Sequence, residues 1–183
     1  MGSGASTVKK DDTTVTRVAP AAQPVSEADT GFGDVFVCRV AGNITTPEQL
    51  ASLEYAVLDL GVKVIMVLGH TKCGAVKAAL SGNAFPGFID MLVDHLDVAI
   101  ARVDSMSTKA HQAMKEGSAD MLDRVVRENV KYQVQRCQRS TIIQEGLNKG
   151  SLMLVGAVYD LDNGKINVII TKGSAEEGAP RGR

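Results

Sequence analysis

A continuous apolar run that ends in a polar, glycine-rich turn constrains this chain more than any other stretch. Residues 62–68 read VKVIMVL, with a glycine on each side. Such a run is typical of a central strand covered on both faces of a sheet. The sequence HTKCGAVKAAL follows over residues 70–80 and predicts a turn and then a helix from Gly74 to Leu80. We therefore expect a buried strand that delivers this turn to its carboxyl end.

His70 and Cys73 in that turn are the only histidine and cysteine close enough in the sequence to hold one metal ion. Imidazole and thiolate are ligands that zinc prefers, and open α/β sheets bind ligands beyond the carboxyl ends of their strands. The pair is therefore a candidate metal site. The alternative is a buried turn in which Cys73 is a small hydrophobic residue.

The segment before this strand predicts a strand and then a helix. Residues Asp34–Val40 read DVFVCRV and predict a buried strand. Thr46 as N-cap, Pro47 at the first helical position and Gln49 three residues after the cap form a capping box. The helix has an apolar face of Leu50, Leu53, Val57 and Leu58. We expect a right-handed crossover in which the strand lies parallel to the central one.

Further elements complete an α/β pattern. Thr13–Ala19, TTVTRVA, has the β-branched content of a short strand. A helix is predicted from Phe88 to about Val103, and another over Thr141–Asn148. The predicted fold class is α/β, with a mostly parallel β-sheet flanked by helices and an antiparallel edge strand.

That edge strand comes from a hairpin. Ser151–Asp160 predicts a strand, an Asp-Asn-Gly turn follows, and Lys165–Thr171 alternates apolar and polar residues. The longest predicted helix, begun by a cap at Ser118, has an apolar stripe that includes Asn129 and Gln133. We expect these two amides to pack against a polar surface or a partner chain.

Length and composition indicate one globular domain. In 183 residues we expect a disordered arm over 1–11, a single domain over 12–172 and a disordered tail over 173–183. The net charge of -1 and the lack of a basic cluster give no reason to expect nucleic acid. No apolar run approaches the ~20 residues of a membrane span.

The cysteines indicate the redox environment. Three cysteines are few and odd in number, which does not fit a disulfide framework. We therefore expect a reducing compartment, the cytoplasm or an organelle interior.

Three stretches of the chain together resemble the β-class carbonic anhydrases. They are GFGDVFVCRVAGN (31–43), SLEYAVLDLGVKVIMVLGHTKCGAV (52–76) and SLMLVGAVYDLDNGKINVI (151–169). The resemblance implies a mostly parallel sheet, dimers that pair into tetramers, and a zinc ion held by two cysteines and a histidine. It also implies the reaction of that family, in which a zinc-bound hydroxide attacks carbon dioxide to give bicarbonate. His70 and Cys73 match two of the three ligands.

The third ligand of the family belongs to a C-x-D-S-R segment that this chain does not contain. In the nearest register, Thr13 stands at the zinc cysteine and Val15 at the aspartate, and only Arg17 of the Asp-Arg pair is retained. No other register supplies the ligand, because no cysteine precedes Cys38. A threonine hydroxyl brings no charge and does not deprotonate readily, so we expect zinc to be weakly bound or absent.

The resulting hypothesis is a β-carbonic anhydrase-like protein that is deficient in carbon dioxide hydration and acts as a non-catalytic family member or assembly subunit. The alternative is an active zinc carbonic anhydrase whose third ligand comes from an unexpected residue or another chain. A third interpretation is a shortened form of an active enzyme. The resemblance implies a homodimer or higher homo-oligomer, and assembly with other proteins is left open.

Overall fold

A computed structural model describes residues 33–105 and 119–173, which form a mixed sheet covered by helices. The predicted strand Thr13–Ala19, the arm over 1–11 and the tail beyond Gly173 lie outside the described residues. None of the helices in the described ranges is both long and apolar enough to cross a bilayer. In chain order the elements are a 3-10 turn (Ala41–Asn43), α1 (Pro47–Leu58), β1 (Val64–His70), α2 (Gly74–Leu80), α3 (Ile89–Asp94), α4 (Asp97–Ser105), α5 (Ala119–Cys137), α6 (Thr141–Asn148), β2 (Met153–Tyr159) and β3 (Ile166–Lys172).

Helix α1 begins as its sequence predicts. The Thr46 hydroxyl accepts a hydrogen bond from the Gln49 backbone N–H, and the Gln49 side chain accepts one from the Thr46 N–H, at 3.4 and 3.2 Å. This reciprocal pair satisfies two N–H groups that a helix start otherwise leaves unpaired. Leu53 is buried as predicted, whereas Leu58 is 66% exposed, so its assignment to the apolar face was wrong. Leu58 is the last residue of α1, where the helix leaves the core.

The sheet has the order β1-β2-β3 in the described part of the chain. Strands β1 and β2 are parallel, in a register that runs from Val64 opposite Met153 to His70 opposite Tyr159. Strand β3 pairs antiparallel with β2. The α/β fold class and the antiparallel edge strand are therefore confirmed. Strand β1 continues to His70, two residues beyond the predicted end.

The prediction of a strand over Asp34–Val40 was wrong. Residues 35–40 have no strand partner among the described residues, although the Val40 backbone is extended (φ −143°, ψ 153°). The parallel partner of β1 is β2, and residues 38–40 line one cavity together with residues 67–70. Within residues 33–105 and 119–173 the segment therefore belongs to no sheet, and the predicted parallel arrangement with β1 is not seen there.

The predicted helix from Phe88 to Val103 is interrupted. It forms α3 and α4, which meet at His95 and Leu96. There the Leu96 N–H donates to the Val93 carbonyl at 2.8 Å, an i→i−3 bond that tightens the turn. The tightened turn places the Leu96 side chain fully in the core.

Helix α5 packs closely against the sheet at two glycines. A Cβ added to Gly69 would lie 2.7 Å from the Val130 Cγ2 atom. One added to Gly156 would lie 2.6 Å from the Ile170 Cγ2 atom and 2.9 Å from Val130 Cγ1. These distances are shorter than van der Waals contact, so only glycine allows α5 to lie this close to β1 and β2.

We expect Gly156→Ala to lower the free energy of unfolding by about 1–3 kcal/mol, because the added methyl group overpacks the interface between β2 and α5. Urea unfolding measures the change. Gly74→Ala is the matched control: its Cβ would meet no atom within 4 Å, and alanine suits a helix, so its effect should stay within about 1 kcal/mol and favour the folded state. Equal destabilisation by both variants would contradict the close packing of α5.

Candidate metal centre

His70 is the last residue of β1 and lines the cavity at the carboxyl end of the strand. Its Nδ1 atom lies 2.9 Å from the Thr71 carbonyl oxygen. A carbonyl oxygen only accepts hydrogen bonds, so in the neutral ring Nδ1 carries the proton. The lone pair is then on Nε2, which is free to bind a ligand.

Cys73 follows three residues later, at the N-cap of α2. Its side chain is 3% exposed and makes no capping hydrogen bond to the helix. Between the two donors, Lys72 adopts a left-handed backbone conformation with φ +58°, which turns the chain from the strand into the helix. The local geometry thus places an imidazole and a thiol on one turn, as the sequence predicts.

The connection between β2 and β3 holds this turn in place. The Thr71 N–H donates to the Tyr159 carbonyl at 2.9 Å, and the Thr71 hydroxyl accepts from the Leu161 N–H at 3.0 Å. Lys72 forms an exposed ion pair with Asp162. The two hydrogen bonds fix the backbone next to both donors, and the exposed ion pair adds little to stability.

A cavity of about 470 Å³ opens beside His70. One wall is formed by residues 38–45 and the other by residues 67–70. Tyr159, the last residue of β2, and Leu161, in the connection to β3, also line it. Volumes of this order are typical of small-molecule sites, and the position beyond the end of β1 is where α/β sheets bind ligands.

Two buried amides of α5 hold the wall over residues 42–45. The Gln133 Oε1 atom accepts from the Thr45 N–H at 2.8 Å, and its Nε2 donates to Asn129 Oδ1 at 2.9 Å. Asn129 in turn donates to the Gly42 carbonyl at 2.8 Å. The amides therefore pack against a polar surface, as one of the two sequence-based alternatives predicted, and that surface belongs to the same chain. Sequence reasoning did not find it, because the bonded groups are 87 and 88 residues apart.

The other two cysteines are poor donors. Burial raises the pKa of the Cys137 thiol to about 11, against the smaller lowering effect of the Thr45 hydroxyl. Burial also raises the pKa of Cys38, which lines the cavity, and a hydrogen bond with Ser52 opposes that rise. Since the thiolate is the form that binds metal, both environments favour the inert thiol.

The described residues do not complete a zinc site. Within residues 33–105 and 119–173, no group of three or more histidine, cysteine, aspartate or glutamate side chains could hold a metal ion. His70 and Cys73 are two donors, whereas a zinc site needs three or four protein ligands. Thr13, Val15 and Arg17 lie outside the described residues, so their assigned positions stay predictions.

The comparison with known proteins agrees with this architecture. A family sequence model described as "Carbonic anhydrase" matches residues 17–166. A tetrameric β-carbonic anhydrase from Sordaria macrospora superimposes with a TM-score of 0.70 and 26% identity, over 80% of this chain and 74% of that one. The chain belongs to the β-carbonic anhydrase family. A Coccomyxa β-carbonic anhydrase in complex with acetazolamide is also similar, with a TM-score of 0.69 and 27% identity over 86% of this chain and 72% of that one.

Curated carbonic anhydrases show the same relationship in sequence. The carbonic anhydrase of Mycolicibacterium smegmatis is 37% identical over 145 residues, which are 76% of this chain and 65% of that protein. Carbonic anhydrase 2 of Mycobacterium tuberculosis is 37% identical over 143 residues, or 75% and 63%. The chain thus spans less than two thirds of the length of these two relatives.

We expect Gln133→Leu to lower the free energy of unfolding by about 1–3 kcal/mol, because it leaves the buried Thr45 N–H without an acceptor. Urea unfolding tests this. Gln144→Leu removes an amide whose hydrogen bond is exposed, so its effect should stay within about 0.5 kcal/mol. A loss no larger for Gln133→Leu than for Gln144→Leu would show that the amides do not hold the wall.

The raised pKa of Cys137 predicts a loss of stability at alkaline pH. Its thiol titrates near 9.0 when unfolded and at about 11 when folded, so the folded chain binds more protons in between. The free energy of unfolding should therefore fall by about 1–3 kcal/mol as pH rises through this window. Cys137→Ser keeps a hydrogen-bonding group but does not titrate there, and this part of the slope should vanish. Identical slopes in urea unfolding for both proteins would contradict the assignment.

Proposed function

We propose that this member of the β-carbonic anhydrase family lacks a complete catalytic zinc site, is deficient in carbon dioxide hydration, and acts as a non-catalytic family member or assembly subunit. The supporting observation is that residues 33–105 and 119–173 contain no group of three or more histidine, cysteine, aspartate or glutamate side chains that could hold a metal ion. The sequence adds that no cysteine precedes Cys38. The second cysteine ligand that the family resemblance implies therefore has no counterpart in its expected segment.

The chemistry of the replaced residues supports this proposal. Catalytic zinc needs three protein ligands and an open position for water, whose pKa it lowers to about 7. In the proposed register Thr13 contributes a neutral hydroxyl in place of a thiolate. Val15 has no hydrogen-bonding group in place of a carboxylate, so Arg17 has lost its partner. The missing thiolate and the missing carboxylate would both impair carbon dioxide hydration.

An active enzyme that takes its third ligand from elsewhere is the second candidate. One observation favours it: the Cys38 thiol lines the same cavity as His70. The raised pKa of Cys38 opposes this, since its thiol must lose a proton before it can bind zinc. A ligand from another chain would serve equally well.

A homo-oligomer is the assembly that we propose. The Sordaria macrospora relative is tetrameric. The amides of α5 add no support, because Asn129 and Gln133 bind the wall of their own chain. The reducing compartment expected from the unpaired cysteines also remains part of the proposal.

Zinc content and carbon dioxide hydration together test the proposal. We expect purified protein to carry far less than one zinc per chain and, in stopped-flow assays, to hydrate carbon dioxide no faster than buffer. Stoichiometric zinc with a rate well above buffer would overturn the proposal and favour the second candidate.

Restoring the replaced residues tests the proposal by a gain of zinc binding and activity. Thr13→Cys combined with Val15→Asp should raise zinc content towards one per chain and give measurable hydration, because it rebuilds the third ligand and the partner of Arg17. Thr14→Cys with Thr16→Asp introduces the same residue types one position along and should do neither. No gain in the first variant, or an equal gain in both, would show that the register is wrong.

A further inference from the structure

The sequence limits which residues can supply a thiolate and an imidazole to one metal ion. The whole chain contains three cysteines and three histidines, a count that covers every residue from 1 to 183. Burial raises the pKa of both Cys38 and Cys137, which favours the protonated thiol at neutral pH. His70 and Cys73 are the only histidine and cysteine with as few as two residues between them. A thiolate–imidazole site built from one segment of this chain therefore lies at this turn.

The turn offers both donors in a form that can bind a metal. The His70 Nδ1–H donates to the Thr71 carbonyl, which leaves the lone pair of the ring on Nε2. The Cys73 side chain is buried and makes no capping hydrogen bond to α2. Two intervening residues are a common ligand spacing in metal-binding turns. The hydrogen bonds of Thr71 to the β2–β3 connection hold the backbone between the donors.

The charge of this pair matches a monovalent ion better than a divalent one. A thiolate and a neutral imidazole together carry a single negative charge. They neutralise Cu(I), whereas Zn(II) would keep one uncompensated positive charge beside the buried Cys73 side chain. Such a charge is costly away from water, because little in its surroundings replaces its hydration.

The number of donors also matches Cu(I). Zinc sites take three or four ligands from the protein, and His70 and Cys73 supply two. Cu(I) is a soft ion that prefers thiolate to oxygen ligands and also binds imidazole. Two ligands in a linear arrangement are enough for Cu(I), so this pair needs no third residue.

We propose that His70 and Cys73 bind one Cu(I) ion through the Nε2 and Sγ atoms. On binding, the Cys73 S–H bond breaks, a Cu–S bond forms and the proton passes to solvent, while the copper stays monovalent. The reducing compartment proposed for this chain is one in which Cu(I) persists. The inference rests on the proposed function, because a complete zinc site would occupy the same two donors.

Competition with the Cu(I) chelator bicinchoninate tests the site in the full chain under anaerobic, reducing conditions. We expect the protein to withdraw one Cu(I) per chain from the coloured chelate. Cys73→Ser and His70→Ala should each weaken binding by at least about a hundredfold, since loss of a ligand costs more than loss of a hydrogen-bonding partner of a ligand.

Cys38→Ser is the matched control, because it removes a half-buried thiol and should leave the affinity unchanged. Equal Cu(I) affinity of the unmodified protein and Cys73→Ser would overturn the proposal. An equal loss of affinity in Cys38→Ser and Cys73→Ser would also overturn it.

X-ray absorption at the copper edge tests the ligand set without any substitution, and it decides if Cys73→Ser does not fold. For protein loaded with one equivalent of Cu(I), we expect a shell of one sulfur and one imidazole nitrogen. A shell with two sulfurs would overturn the proposal, because a second cysteine would then bind the ion. A shell without sulfur would overturn it as well.

Zinc measured in the same preparations separates this inference from the proposed function. Low zinc together with Cu(I) bound by His70 and Cys73 is the result that we expect. Low zinc without Cu(I) binding would overturn the copper site and leave the proposed function standing. Stoichiometric zinc held by a complete ligand set would overturn both.

Discussion

The approach of α5 to the sheet is the contact on which the rest of the structure depends. Val130 lies over Gly69 of β1 and Gly156 of β2, where no larger residue fits. That contact sets the separation of helix and sheet. From the same helix, Asn129 and Gln133 reach the wall over residues 42–45. One helix thus positions both the strand that presents the candidate donors and the opposite wall of the cavity.

The turn from His70 to Cys73 is held firmly by hydrogen bonds, although it supplies only two candidate metal ligands. Backbone hydrogen bonds from the β2–β3 connection fix Thr71, and the His70 ring directs its free nitrogen away from that bond. These are the features that hold a metal ligand in one orientation. The turn therefore holds the His70 ring in a defined orientation, and the proposed loss of catalysis lies in the chemistry of residues that other segments contribute.

How much the sequence predicts depends on the distance along the chain between the groups involved. The capping box at Thr46 and the helix over Gly74–Leu80 rest on neighbouring residues, and both were predicted correctly. The His70–Cys73 spacing is local as well. The strand predicted over Asp34–Val40 is not found among the described residues. A strand needs a hydrogen-bonded partner, and an apolar run does not specify where that partner lies.

The cavity wall shows the same limit more sharply. Its residues are held by amides 87 and 88 positions away, and nothing in the local sequence of α5 indicates which surface those amides meet. The burial of Cys137, which raises its pKa, likewise depends on the packing of α5 against distant segments. Packing of this kind becomes visible only in three dimensions.

X-ray absorption at the zinc edge measures directly the number and type of ligands that this chain offers to zinc. For protein equilibrated with one equivalent of zinc, we predict a shell with a single sulfur and one imidazole, completed by oxygen, and ready loss of the metal to a chelator. A shell of two sulfurs and one imidazole that resists the chelator would contradict the proposed loss of the zinc site, because the protein would then have supplied the third ligand.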